Sequence, residues 1–331
     1  MKLKANRIGR EALWAGVVSA AELLAACGGG TSGNSFTAKR VIALGDESST
    51  LNGADGRKFT VNALKADNVS IDCASNPIWV QSVASLYGLV FPECNPAAVA
   101  APASRILATN GAKVADVATQ VALQVAAGGF TADDMVTVLV GSNDIVAQFA
   151  QYPAVSEATL KDNLAQAGAA LAAQVNAIAE SGAKVLVSTV PDLGRAPFAG
   201  DRSAGSTNVN PGVLSRLSNA FNDAMLAKLN NDGRKIGLVL LDVYVQAADN
   251  ARAAGGTTYV NTTLAACLPT APLPNCTTLT LGTDAGAIPP PATPASASAT
   301  TWFWADALHL SAGAQIGLGS LAVSRAHNNP F

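Results

Sequence analysis

The chain has 331 residues, of which 49% are hydrophobic and 13% are charged, with a formal net charge of −2. This length and composition suffice for one well-buried α/β domain, or at most two small ones. The charge balance offers no basic surface for nucleic acid, so we expect neither a DNA nor an RNA partner. Low charge together with many Ala, Gly and Thr residues is typical of a secreted or envelope protein.

Residues 1–26 have the pattern of a targeting signal peptide. A basic beginning precedes an apolar stretch over 13–26, which is too short to indicate a transmembrane helix. The sequence Leu-Ala-Ala-Cys at 24–27 resembles a bacterial lipobox, in which Cys27 is lipidated and becomes the mature N-terminus. We therefore expect an exported lipoprotein, anchored to a membrane of the cell envelope in the periplasm or at the outer membrane. The alternative is a signal peptide followed by an incidental cysteine.

The segment 27–38 is predicted to be a linker, because it is rich in Gly, Ser and Thr. A folded domain is predicted over 39–331. Apolar runs within it predict strands at 39–44, 106–108, 135–140, 184–190 and 236–241. Helical periodicity predicts helices at 76–87, 114–125, 156–182 and 211–229, and a last helix from a Ser311 cap to about residue 325.

This alternation of strands and helices predicts a parallel sheet covered on both faces. The expected fold is a three-layer α/β/α domain of flavodoxin-like type. The segment 257–301 is the exception, because it contains a proline-rich run at 288–294 that cannot form regular core structure. We interpret it as a long excursion, with a rim over the functional site as one reading.

Four cysteines are left when Cys27 is set aside, and they permit three pairings. The pairing Cys73–Cys94 and Cys267–Cys276 is the simplest, because each bond would close a short loop. Disulfides agree with an exported protein. A zinc site is disfavoured, since no Cys-x-x-Cys occurs and the chain has two histidines.

Three short motifs carry the chemistry. The sequence Gly-Asp-Glu-Ser at 45–48 follows the first predicted strand, Gly-Ser-Asn-Asp at 141–144 follows the third, and Asp-Ala-Leu-His lies at 306–309. The first two lie at carboxyl ends of predicted strands, where the sites of open α/β sheets form. We therefore expect their loops to converge on one edge of the sheet.

Asp306 and His309 are candidates for an orienting acid and a general base, because their spacing lets one turn present both side chains. His327, the other histidine, lies in a polar tail and is expected to be solvated. Asn143 can donate its amide to an oxyanion, and Gly111 can donate its backbone N–H where a residue without Cβ lets substrate approach. The structural alternatives are a capping Asp with a structural His, and ordinary turn residues at 110–111 and 143.

Together these motifs resemble the SGNH, or GDSL, family of serine esterases and lipases. The sequence Val-Pro-Asp-Leu-Gly at 190–194 also looks like the bacterial lipase-like branch of that family. The resemblance implies a nucleophilic serine directly after Gly-Asp, but Glu47 holds that position and the serine follows as Ser48. Three readings are open: Ser48 is the nucleophile in a remodelled loop, Glu47 takes the nucleophile's place, or the pocket only binds.

The function implied is carboxylic ester hydrolysis through an acyl-enzyme, with Ser48, His309 and Asp306 as catalytic residues and Gly111 and Asn143 in the oxyanion hole. No metal or organic cofactor is implied. Lipids, short acyl esters and acetylated sugars are the candidate substrates. The alternative is a catalytically impaired envelope binding protein on the same fold, because of Glu47.

Overall fold

The computed structural model describes residues 36–200, 210–230, 234–286 and 292–328. Residues from Phe36 onward belong to one compact unit. The predicted signal peptide, Cys27 and most of the predicted linker lie outside the described residues, as does 288–291 of the proline-rich run. The expectations for these segments stay predictions.

The described strands form a central parallel sheet in the order β2-β1-β3-β4-β5. Their bounds are β1 Arg40–Gly45, β2 Arg105–Ile106, β3 Asp134–Leu139, β4 Lys184–Ser188 and β5 Ile236–Val239. Every residue of β3 is buried, because helices cover both faces of the sheet. This order is the flavodoxin-like one, and it confirms the predicted fold class.

The helices of the described chain divide into two groups around the sheet. Their bounds are α1 Trp79–Leu86, α2 Val114–Ala126, α3 Ser142–Phe149, α4 Glu157–Glu180, α5 Pro197–Gly200, α6 Pro211–Lys228, α7 Leu241–Ala253 and α8 Ala312–Asn328. Helix α4 packs against α2, α3 and α6, whereas α1 packs against α8. The longest helix begins where predicted, since the Ser156 hydroxyl accepts a hydrogen bond from the backbone N–H of Thr159 at 3.2 Å.

The edges of the sheet are short. Strand β2 has 2 residues and β5 has 4 residues. The side chain of Arg325, on α8, donates to the carbonyl of Leu238 in β5 at 2.9 Å. Between these edges β1 and β3 are neighbours, and the chain leaves them toward opposite sides of the sheet. Such a switch point leaves a crevice at the carboxyl ends of the strands.

The segment 257–301 is more regular than the sequence indicates. Strand β6, Asn261–Ala265, lies inside it and pairs with β7, Trp302–Trp304, in a second sheet. Apolar residues around Trp302 form a small core of their own, which includes Val61 and Cys276. The prediction of no regular core structure is therefore wrong for 261–265, because the proline-rich run is confined to the end of the segment and residues 261–265 have a partner strand.

Both predicted disulfides are present. Cys73 bonds to Cys94 across 21 residues and Cys267 bonds to Cys276 across 9 residues. The short-loop pairing is therefore confirmed. Each bond closes a segment beside the sheet, and neither crosses the sheet.

Candidate active site

The loop after β1 is directed by Gly45, whose φ of +119° favours glycine. A Cβ at this position would lie 1.9 Å from the carbonyl oxygen of Leu139 on β3. The side-chain amide of Gln120, on α2, bonds to both backbone groups of Gly45, accepting from its N–H at 2.7 Å and donating to its carbonyl at 2.8 Å. The Gln120 side chain thus makes the two hydrogen bonds that a neighbouring strand would otherwise make to Gly45. It holds the backbone where the chain turns toward the site.

A single 3-10 turn, Glu47–Ser49, follows this strand end. The carboxylate of Asp46 caps it by accepting from the backbone N–H of Ser48 at 3.0 Å. Because successive residues of a 3-10 turn point about 120° apart, neighbouring side chains cannot face the same group. Glu47 is the one buried against the site, with 8% of its surface exposed, and Ser48 is half-buried beside it.

The loops after β2 and β3 bring two hydrogen-bond donors to the same place. Gly111 lies in the turn before α2 with φ of +72°, which only glycine adopts readily. Asn143 lies in the first turn of α3 and also donates to the carbonyl of Ala112 at 3.1 Å. The carboxylate of Asp144 accepts from the N–H of Val114 at 3.1 Å. Asp144 therefore joins the two loops and has no direct part in the site.

The segment before α8 presents Asp306 and His309 as one unit. One oxygen of Asp306 accepts from the backbone N–H groups of Leu308 and His309 at 2.9 and 2.7 Å. Both of its oxygens lie 2.9 Å from Nδ1 of His309. The carboxylate therefore fixes the turn and the imidazole together, and the other ring nitrogen, Nε2, points away toward the loop after β1.

These groups converge on the Glu47 carboxylate. The N–H of Gly111 donates to Oε2 at 2.7 Å, and the Asn143 amide lies 3.2 and 3.1 Å from Oε1 and Oε2. Nε2 of His309 lies 3.1 Å from Oε1. Three of the residues singled out in the sequence therefore meet around a fourth, Glu47, which stands where the resemblance places a serine.

The ionisation of the site follows from these contacts. Burial favours the neutral form of His309, but hydrogen bonds to Asp306 and Glu47 outweigh it and raise the pKa of the imidazole to about 10. Burial also opposes charge on Glu47, yet hydrogen bonds from His309 and from backbone N–H groups lower the pKa of this carboxyl. At neutral pH the site holds an imidazolium between two carboxylates.

The pKa of Asp46 is shifted in the direction opposite to that of Glu47. Burial first, and the charge of Glu47 second, raise the pKa of its carboxyl to about 7. Asp306 follows the Glu47 pattern, because hydrogen bonds and attraction from His309 outweigh burial and lower its pKa. The pKa values of the two neighbouring carboxyls, Asp46 and Glu47, therefore shift in opposite directions, because only Glu47 bonds directly to the imidazolium.

One of the three readings of the sequence placed the Ser48 hydroxyl against His309, whereas the structure has the Glu47 carboxylate there. The contacts of the imidazole are Asp306 at Nδ1 and Glu47 at Nε2. The physical reason is the Asp46 cap, which makes residue 47 the inward-facing position of the turn. Ser48 still lines the same small cavity, together with Ser142 and Pro191. Its role as nucleophile stays a prediction.

Sequence reasoning placed the site at the carboxyl ends of the strands and His327 outside it. The loops after β1, β3 and β4 meet at this cavity, as their places at strand ends predict. His327 is exposed on α8, away from the site.

Among the described residues, no helix has the length and hydropathy of a membrane span. No group of three or more His, Cys, Asp or Glu side chains in that part of the chain could hold a metal ion.

Sequence reasoning missed two residues that shape the site. The ring of Phe59 lies 5.6 Å from that of His309, centroid to centroid, and Gln120 holds Gly45 as described above. Phe59 sits in a loop without periodicity, so nothing in the sequence pointed to it. Gln120 is a polar residue on the apolar side of α2, and 2% of its own surface is exposed. A polar residue at such a position indicates a buried hydrogen-bond partner and could have been used to find it.

The family model of the GDSL-like lipases and acylhydrolases matches residues 33–318. The chain therefore belongs to this family, which is one of esterase- and lipase-type hydrolases. No curated protein sequence matches the chain.

Two solved structures illustrate the similarity. The acetyl xylan esterase AlAXEase is 12% identical at a TM-score of 0.42, with 86% of this chain and 98% of that chain covered. A catalytic mutant of the acetylxylan esterase Axe2 from Geobacillus stearothermophilus is 13% identical at a TM-score of 0.42, with 88% and 96% covered. At these values the likeness does not bear on what this chain acts on.

Proposed function

We propose that this chain is a carboxylic ester hydrolase whose site is occupied, in the form described, by its own Glu47 side chain. The observation that supports this is the convergence of Gly111, Asn143 and His309 on one carboxylate. These are the donors and the base that ester hydrolysis requires, and Asp306 orients the base. Glu47 takes the space in which an ester carbonyl would be polarised.

Glu47 opposes catalysis in two ways. It uses the two oxyanion donors, which then cannot stabilise a developing alkoxide. It also keeps His309 protonated, and an imidazolium cannot accept a proton from a hydroxyl. We therefore expect the native sequence to hydrolyse esters slowly, or only when the Glu47 side chain moves away from the site.

Ser48 is the proposed nucleophile once the carboxylate has left and the turn has rotated to bring residue 48 to the inward-facing position, because its side chain already borders the same cavity. Its hydroxyl proton would pass to Nε2 of His309 while the oxygen attacks the ester carbonyl. The proton then leaves with the departing alcohol. Water hydrolyses the acyl-serine by the same path, and Asp306 stabilises the imidazolium at each stage.

A non-catalytic envelope binding protein is the second candidate. The observation that favours it is the full set of partners around Glu47, since hydrogen bonds to charged groups are each worth about 1.5–3 kcal/mol net. Displacing the side chain would give up several of them at once. In that case the site would serve only to bind a ligand.

The native protein and three variants separate these candidates. Each would be incubated with p-nitrophenyl acetate and with a fluorophosphonate probe: native protein, Glu47→Ser, Glu47→Ala and Glu47→Ala with Ser48→Ala. We expect Glu47→Ser to hydrolyse the ester and take the probe, because a serine then occupies the inward-facing position. Activity of Glu47→Ala that disappears in the double variant would assign Ser48 as nucleophile.

The outcomes against the hydrolase are equally clear. If Glu47→Ser and Glu47→Ala neither turn over the ester nor take the probe while remaining folded, the binding-protein candidate stands. If Glu47→Ala and its double variant are equally active, Ser48 is not the nucleophile. Activity of the native protein that is lost in Glu47→Gln would mean that the carboxylate itself takes part in the reaction.

We further propose that the protein is exported and anchored through a lipid on Cys27. The lipobox-like sequence before Cys27 supports this, as do two disulfides, which persist in oxidising compartments. Cell fractionation of native protein and Cys27→Ala tests it. Release of the variant into the soluble envelope fraction is expected, and unchanged membrane association would contradict the anchor.

A further inference from the structure

The Glu47 side chain covers three of the four substituent positions of the tetrahedral intermediate that forms on a catalytic serine. From the Cα outward, its Cβ, Cγ and Cδ correspond to the Cβ, the hydroxyl oxygen and the reacting carbon of that intermediate. Oε2, held by Gly111 and Asn143, corresponds to the carbonyl oxygen in an oxyanion hole. Oε1, held by Nε2 of His309, corresponds to the attacking water or the departing alcohol.

This correspondence locates the acyl carbon of a substrate at Cδ of Glu47. The planar carboxylate lacks the fourth substituent of that intermediate, namely the alkyl chain of the acyl group. That chain must extend into whatever space lies beside Cδ. The cavity that the structure shows there has a volume of about 20 Å³.

A space of roughly 10–15 Å³ for the centres of water-sized groups holds one water molecule. The cavity at Glu47 therefore has room for about one methyl group. Its apolar wall consists of Leu139, Pro191, Leu241, Leu308 and Leu310. The observed volume leaves no room for a second or third methylene.

The wall stands on rigid parts of the fold. Leu139 ends β3 and Leu241 begins α7, and each has 2% of its surface exposed. Pro191 follows β4 and is buried as well. Packed interiors resist movements of even one methylene, so this side of the site does not open readily for a long acyl chain.

We propose that the acyl side of this site accepts an acetyl-sized group and excludes longer acyl chains. The proposal rests on the ester hydrolase function proposed above and names its substrate class: acetate esters of alcohols or sugars, and not long-chain lipids. The alcohol side is left open by this argument, because Oε1 faces the imidazole and not the apolar wall.

The first test uses Glu47→Ser with p-nitrophenyl acetate, butyrate and octanoate. We expect kcat/KM to fall about 100-fold or more from acetate to octanoate, because buried walls reject added methylenes. Leu241→Ala in the same background should recover butyrate hydrolysis. Leu123→Ala is the matched control, since this leucine on α2 is 55% exposed and should leave the chain-length profile unchanged.

The second test does not depend on turnover. In Glu47→Ser the new serine occupies the place of Cγ, so a free carboxylic acid bound at the donors must direct its alkyl group toward the wall. We expect acetate to raise the Tm of this variant and to shift the His309 ring resonances, whereas butanoate and octanoate do neither at equal concentration.

The results distinguish the two proposals. An active variant that prefers octanoate esters, or that binds octanoate as well as acetate, overturns the acyl-size inference and leaves the hydrolase intact. A variant without turnover that still binds acetate and rejects octanoate overturns the hydrolase and supports the size limit. A variant without turnover that binds neither acid overturns both.

Discussion

The loop after β1 and the loop before α8 face each other across the site, yet they differ in how closely they keep to their family. The second loop carries Asp306 and His309 in the expected arrangement, joined by two 2.9 Å contacts. The first loop keeps the glycine, the capping Asp46 and the inward-facing position, but Glu47 occupies that position.

The difference shows that the backbone position of residue 47 does not depend on the type of side chain that occupies it. Gly45, its Gln120 partner and the Asp46 cap decide which residue faces His309. Here that residue carries a carboxylate, where the resemblance implies a hydroxyl. A fold therefore fixes where a nucleophile would be and leaves open whether one is there.

The largest expected effect concerns the loop before α8. In the Glu47→Ser background, His309→Ala should lower kcat by about 10³-fold or more, because triad members act as a unit. His327→Ala, the matched histidine control on the exposed end of α8, should change kcat little. Steady-state hydrolysis of p-nitrophenyl acetate measures both. Equal losses would mean that the loop does not supply the base.

The next prediction concerns the bond between the two loops. Glu47→Gln keeps the shape of the side chain but removes its charge, and should lower the free energy of unfolding by about 1–3 kcal/mol at pH 6. Urea unfolding of both proteins measures the difference. A Gln variant as stable as the native protein would show that the charge pair contributes nothing.

The pH dependence of that difference has a defined sign. The pKa of His309 is raised to about 10, so its contribution is complete below its ordinary value near 6.5 and is lost as pH rises through about 10. The pKa of Glu47 is lowered, so its contribution is complete above its ordinary value and is lost at more acidic pH. The native advantage should therefore be largest between about pH 5 and 6.5. A difference that grows toward pH 10 would contradict this assignment.

A smaller effect should come from Gln120, which touches neither Glu47 nor His309 but holds Gly45. Gln120→Leu leaves the N–H and carbonyl of Gly45 without their partner, at about 1–3 kcal/mol of stability. In the Glu47→Ser background we expect kcat to fall while KM changes little, since the nucleophile loop is displaced. Gln120→Glu, which keeps one acceptor, should be the milder variant. Loss of stability with unchanged kcat would reduce Gln120 to a structural role.

Much of this arrangement followed from sequence. The apolar runs gave the strands of the sheet because buried parallel strands must be apolar on both faces, and motifs at strand ends had to share one edge. The direction of residues 47 and 48 did not follow, because it depends on whether the chain turns as a loop or as a 3-10 turn. The hydrogen bond from the Ser48 N–H to Asp46 determines that the chain forms a 3-10 turn. The sequence does not reveal this bond, because it depends on the position of the backbone N–H.

The second sheet was missed for a related reason. Residues 261–265 are mostly small or polar, and their pairing with 302–304 spans a long stretch of chain. Such a strand has no local alternation of apolar and polar residues that would predict it. The proline-rich run nearby made the whole segment read as irregular, although it disrupts only its own residues.

The short edges of the central sheet have a consequence for how this molecule behaves among copies of itself. Unpaired strand edges invite another chain to add a strand, and proteins restrict this by keeping edge strands short or covering them. Here one edge has 2 residues, and the other has a carbonyl already taken by Arg325. We expect the folded domain to resist edge-to-edge aggregation at high concentration. Arg325→Ala would uncover the longer edge, and light scattering of concentrated samples would reveal the change.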